Sequence, residues 1–157
     1  MIKLPETYHA SSRIWIYQTD RVLSQSEIES LKQDMGKFAV VWTSHNRALK
    51  AYGDVLHGRF LVLMVDESQA GASGCSIDKS VHFMQSMEEK YGLSLFDRRQ
   101  FAYWDDNEVK SVSIDELKGL YDAGEITGDT LVFDNLVKTK EEMENSWLKP
   151  LESSWHK

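Results

Sequence analysis

Apolar residues fall along this chain in short dense runs separated by stretches of helical spacing, and that alternation sets the expected elements. RIWIYQ, Arg13 to Gln18, is short and rich in β-formers and predicts a buried strand. Ser24-x-x-Glu27 then reads as a capping box, with Leu23 and Ile28 spaced as a hydrophobic staple. Ile28, Leu31, Met35 and Phe38 continue at helical spacing. Strand-like residues return at Ala39 to Thr43, at Ala48 to Leu56 and most clearly at RFLVLMVDE, Arg59 to Glu67. The last run is nearly all apolar, which predicts a central strand covered on both faces.

After a glycine- and serine-rich turn, Ile77, Val81, Met84, Met87 and Tyr91 form one helical stripe that Gly92 ends. FAYWD and EVKSV, around Asp105-Asp106-Asn107, predict a hairpin. Ser113-x-x-Glu116 is a second capping box, with Val112 and Leu117 as its staple and Gly124 as the helix stop. Thr130 to Asp134 reads as a short strand, and Thr139-x-x-Glu142 as the cap of a last helix.

The order through residue 104 is close to strand-helix-strand, strand-helix-strand. It predicts an α+β fold of ferredoxin-like type, a mainly antiparallel sheet with helices on one face; an open three-layer α/β sheet is the alternative. Residues 1–104 then form the α+β core and residues 105–157 a small C-terminal α+β extension packed on it, or the whole of 1–157 is one domain. At 157 residues there is room for one substantial core but not for two ordinary domains.

Charge and composition narrow the partners. A net charge of -7 argues against nucleic acid, because duplex binding needs Lys and Arg to neutralise phosphates. The nearest basic candidates, Arg98-Arg99 and Lys79, are few. No apolar run is long enough to cross a bilayer, and MIKLPETYHASSR lacks the pattern of a signal peptide, so a soluble cytoplasmic protein without membrane contact is expected. The one cysteine, Cys75, agrees with a reducing compartment. His9, His57 and His156 have no ligand spacing, so no metal and no cofactor is implied. No pattern specifies an oligomeric state.

The most unusual stretch is DESQAGASGCSIDKSVHF, Asp66 to Phe83. A central strand, a Gly/Ser loop and a helix N-terminus together present backbone N–H groups to an anion, and Gly71, Ser73, Gly74 and Ser76 permit close approach. With Ser76 as the cap, Lys79 falls at the third helical position, where the other capped helices carry Glu. A cation there opposes the helix dipole unless an anion compensates it. His45, after VVWTSHN, and Asp66, at the strand end, converge on the same rim in this reading. The plain alternative is a tight turn whose Lys points to water, with His45 in a turn and Asp66 bonding loop amides.

A P-loop is excluded by spacing, since Asp78 precedes Lys79 where glycine is required and Ser73 occupies the other glycine position. Cys75 lies where a helix dipole lowers a thiol pKa, and Asp78 and His82 project to its side of the wheel. That predicts Cys75 as nucleophile, with His82, oriented by Asp78, or else His45 as base. Free cysteines, however, also serve as small core residues. Tyr103, Trp104, Trp147 and Trp155 concentrate aromatics in the last third, as partner anchors or, the reading favoured by the needs of a small lobe, as core.

Two resemblances bear on function. Through IWIYQ, VWTSH, VDESQAGASGCSIDKSVHF, TLVFDNLV and SWLKPLESSWH, the chain resembles a family of small bacterial proteins often catalogued as ABC transporter ATPases, which implies nucleotide hydrolysis. VSIDELKGLYDAGEITGDTLVF, Val112 to Phe133, is similar to the helix-turn-strand core of GYF-like domains, which implies a lobe that binds proline-rich peptides; the Gly-Tyr-Phe triplet itself is absent. Three function classes follow: a module for a small anionic ligand at the glycine turn, a cysteine-dependent enzyme at the same turn, and an adaptor for a protein partner in the C-terminal lobe. The first is the leading expectation.

Overall fold

The computed structural model describes residues 4–68, 71–97 and 99–153. In chain order the elements are β1 (Arg13–Gln18), α1 (Gln25–Val41), β2 (Thr43–Ser44), β3 (Arg47–Ala48), β4 (Lys50–Leu56), β5 (Phe60–Asp66) and α2 (Gly74–Tyr91). They continue with β6 (Gln100–Asp105), β7 (Glu108–Ser113), α3 (Ile114–Asp122), β8 (Leu131–Phe133), α4 (Lys140–Ser146), β9 (Leu148–Pro150) and a 3₁₀ turn, Leu151–Ser153. The fold is α+β, and every pairing within its sheets is antiparallel.

The apolar run of β5 explains the architecture. All seven of its residues are buried, because the strand is paired on both edges and covered on both faces. Its sheet has the order β1-β5-β4. Leu61, Leu63 and Val65 face one way, onto Leu31 and Met35 of α1 and Met84 and Met87 of α2. Phe60, Val62 and Met64 face the other way, onto Ala102 of β6, Phe133 of β8 and Met143 and Trp147 around α4. Side chains alternate across a strand, so one uninterrupted apolar run serves two cores.

The order β1-β5-β4, with α1 and α2 on one face, is that of the first three strands of a ferredoxin-like sheet. The strand after α2 goes elsewhere. Beside β1, the position of a fourth strand is held by a single bridge from Arg13 to Thr139, with Ile14 N donating to Lys138 O at 2.9 Å. β6 instead pairs with β7 and β8 in a second sheet ordered β7-β6-β8-β9. Its sequence shows why: Ala102 and Trp104 meet the first sheet, while Phe101 and Tyr103 turn to Ile126, Val132 and Leu151 beneath Leu117 and Leu120 of α3. The layers therefore run helix pair, sheet, sheet, helix. The hairpin of β6 and β7 spans residues 104 and 105, where the sequence suggests a boundary.

Helix ends follow their capping chemistry in most places. Ser24 Oγ accepts from Glu27 N at 3.1 Å while Glu27 Oε1 accepts from Ser24 N at 3.0 Å, and Thr139 Oγ1 accepts from Glu142 N at 3.1 Å. Gly92 closes α2 at φ 64°, a conformation that disfavours a side chain. One expected strand, Ala39 to Thr43, is largely helix, since α1 runs to Val41. Ala39 and Trp42 prolong the buried stripe of Leu31 and Met35, while Val40 and Val41 stay 80% and 69% exposed. Burial of that stripe, Trp42 above all, outweighs the small helix penalty of two β-branched residues.

Glu27 also makes stability depend on acid. Hydrogen bonds from Arg21, at 2.6 and 2.9 Å, and from the Ser24 backbone hold its carboxyl at about 2, against 4.5 ordinarily. A carboxyl with a lowered folded-state pKa adds stability that is complete above the unfolded value and disappears as pH falls through the folded one. A Glu27→Gln variant is therefore expected to melt below the wild type at pH 6, with the two melting temperatures converging between pH 4.5 and about 2. A constant gap across that range, read by circular dichroism, would show that the capping box acts without its charge.

Candidate functional site

The glycine turn is knit to itself. Ser73, not Ser76, is the N-cap of α2. Ser73 Oγ accepts from Ser76 N at 3.1 Å, and Ser76 Oγ accepts from Ser73 N at 2.7 Å and donates to Ser73 O at 2.9 Å. Ser76 is wholly buried, and its carbonyl accepts from Trp42 Nε1 at 2.8 Å. Lys79 thus lies in the second helical turn rather than at the third position, and its expected clash with the helix dipole largely disappears. Its exposed ammonium donates to Thr43 Oγ1 at 3.2 Å.

Gly71 and Gly74 are exposed. Between them the loop closes on the chain's own carboxylate: Glu67 Oε2 accepts from Ala72 N at 2.9 Å, a Cβ at Gly71 would stand 3.0 Å from the same oxygen, and Arg13 lies 3.7 Å from Glu67 Oε1. Gln69 and Ala70 lie outside the described residues.

Asp66 is 4% exposed and accepts from His9 N at 3.1 Å and Ser68 N at 3.0 Å. The Ser68 bonds first, then His9 and Lys50 3.5 Å away, hold its carboxyl far below the usual range. This is the local backbone bonding to which Asp is suited. His45 sits with Asn46 in a left-handed two-residue turn between β2 and β3, at φ 50° and 65°, and its residue is exposed. Lys79 reaches Thr43 in that hairpin; Asp66 turns instead to His9.

Cys75, Asp78 and His82 are all exposed on α2. Seven residues of helix separate Cys75 from His82, an axial rise of about 10 Å, so the two do not meet as nucleophile and base. Among the described residues, no side-chain hydrogen bond joins Cys75, Asp78 and His82, and no group of three His, Cys, Asp or Glu side chains is disposed to hold a metal ion. No described helix is long and apolar enough to cross a membrane.

The C-terminal aromatics are structural where they are described. Trp147 is 1% exposed with Nε1 donating to Asn135 Oδ1 at 2.9 Å, Tyr103 is buried, and Trp104 is half-buried against the second core. Arg98, Trp155 and His156 lie outside the described residues.

An open apolar site occurs on the outermost layer instead. α3 presents Ile114, Leu117, Lys118 and Tyr121, at i, i+3, i+4 and i+7, as one wall of a groove of about 420 Å³. Gly128 and Leu151 face it, with Glu152 at the lip. Leu117 also packs inward, but Ile114 is 41% and Tyr121 55% exposed. Gly124, at φ 76°, turns the chain out of α3.

The facing wall is braced by the main chain: Leu151 N donates to Thr130 O at 2.8 Å and Glu152 N to Gly128 O at 3.1 Å. The absence of a side chain at Gly128 leaves room for Glu152, whose Oε2 would lie 2.9 Å from a Cβ there. The helical spacing of Ile114 and Tyr121 with Leu117 was the only signal in the sequence; the facing wall comes from the turn after α3 and from Leu151, thirty residues beyond Tyr121.

No family model, curated protein or solved structure matches this chain.

Proposed function

We propose that the protein is an interaction module whose C-terminal lobe docks a short segment of a protein partner in the groove along α3. One observation carries this reading: Ile114 and Tyr121 hold large apolar surfaces in solvent along one wall of a concave, braced site. Leaving such side chains about half exposed forgoes roughly half of the ~1.5 to 3 kcal/mol that full burial of each would contribute. A concave apolar site with few polar groups at its lip is the usual form of a binding pocket. The helix-turn-strand order of residues 112–133 supports the reading, since that segment resembles an interaction lobe. The glycine turn ranks below it as a ligand site because Ser73, Ser76 and Glu67 already engage its amides.

The test is selection from a display library of random linear peptides on the wild-type protein, followed by affinity measurement on Tyr121→Ser. Loss of an exposed aromatic anchor is expected to weaken the selected peptides by roughly 10- to 100-fold, with the far-ultraviolet circular dichroism unchanged. Failure to recover any peptide that depends on Tyr121 would overturn the proposal.

A further inference from the structure

We infer that the segment taken by this groove is cationic, an apolar anchor flanked by Lys or Arg; the inference rests on the groove being the docking site. Charge is what selects this partner. At or beside the groove stand Asp115, Asp122, Asp129 and Glu152, all exposed, and Lys118 is the one cation that lines it among the described residues. Among the described residues none of these four carboxylates is in an ion pair.

Their placement matters more than their number. Asp115 and Asp122 lie three residues before and four after Lys118 and line the outer side of the helical wall. Asp129 follows Gly128, and Glu152 stands at the lip of the facing wall. Lys118 and Glu152, on opposite walls, form no ion pair across the groove. The site therefore stays open, and the Glu152 carboxylate remains available to an incoming cation.

Water solvates such carboxylates well when they are isolated. Here they surround an apolar floor, where a bound chain excludes water and the same charges act through a lower dielectric. An acidic segment would meet several like charges at once, whereas a neutral one would leave Glu152 partly desolvated without a partner. A Lys or Arg beside an aliphatic or proline anchor satisfies both the floor and the lip.

The experiment uses the full chain and the same random peptide library, panned at low salt. Selected peptides are expected to be enriched in Lys and Arg. They should bind Glu152→Lys roughly tenfold more weakly while changing little on Glu89→Lys, which makes the same charge change at an exposed site on α2. Their affinity should also fall as salt rises from low to physiological strength and beyond. Selected peptides that are neutral or acidic, that need Tyr121 but are indifferent to Glu152→Lys, would overturn the charge inference and leave the groove standing. Equal losses on Glu152→Lys and Glu89→Lys would reduce it to the attraction of any cation to a chain of charge -7 and overturn it likewise. Absence of any Tyr121-dependent peptide would overturn both.

Discussion

Gly53→Ala is expected to destabilise the protein by about 2 to 3 kcal/mol, although it adds one methyl group to a residue that is not fully buried. Gly53 lies in the middle of β4, where α1 crosses the sheet. A Cβ there would stand 2.8 Å from the main-chain oxygen of Met35, 3.1 Å from its carbonyl carbon and 3.2 Å from its Cβ. Two of those three atoms are backbone, so no rotamer change relieves the contact. Helix and strand must separate, and the core between Met35, Leu61 and Leu63 loosens with them. For a chain of this size the loss amounts to roughly 4 to 12 °C in melting temperature. Gly36→Ala, in α1 with nothing within 4 Å of a new Cβ, should hold or raise stability instead. Similar melting curves for the two variants would mean that α1 shifts freely on the sheet.

Trp147→Ala is expected to cost more, about 3 to 5 kcal/mol. Trp147 caps the C-terminus of α4 and buries its ring against Phe60 of the first sheet and Phe133 of the second, at centroid distances of 4.9 and 4.8 Å. Its Nε1 donates to Asn135 Oδ1 at 2.9 Å. Truncation leaves a cavity where three elements meet and removes the donor to the half-buried Asn135 amide. Trp147→Phe keeps most of the packing and should lose only about 1 to 2 kcal/mol through the missing donor. Trp104→Ala, at the half-buried edge of the same cluster, should fall well short of Trp147→Ala. Urea denaturation of the three variants decides the order, and a Trp104→Ala loss as large as that of Trp147→Ala would refute it.

Local chemistry was legible in the sequence, and long-range pairing was not. The capping box at Ser24 and the stops at Gly92 and Gly124 depend on residues a few positions apart. β5 was readable as a central strand because burial on both faces leaves no polar positions in it. The cap of α2 was misplaced because Ser73-x-x-Ser76 and Ser76-x-x-Lys79 have the same spacing. Only the burial of Ser76 beneath Trp42 decides between them, and Trp42 is distant in sequence.

The same limitation hid the second sheet. Nothing within Gln100–Asp105 says that Tyr103 will pair with Val132, or that Lys138 will take the place beside β1. The candidate site moved for a related reason. Glycines, a cysteine and histidines attract chemical readings, whereas the groove is made of Ile, Leu and Tyr that ordinarily signify core. Its concave shape exists only once Gly128 and Leu151 are brought opposite α3.

The double use of β5 has a consequence for how the molecule comes apart. Its alternate side chains belong to both cores, so neither half can open without leaving bare the strand on which the other is seated. Heating is expected to produce one cooperative transition, with the lobe that carries the α3 groove melting together with the helix pair on the far side of the molecule.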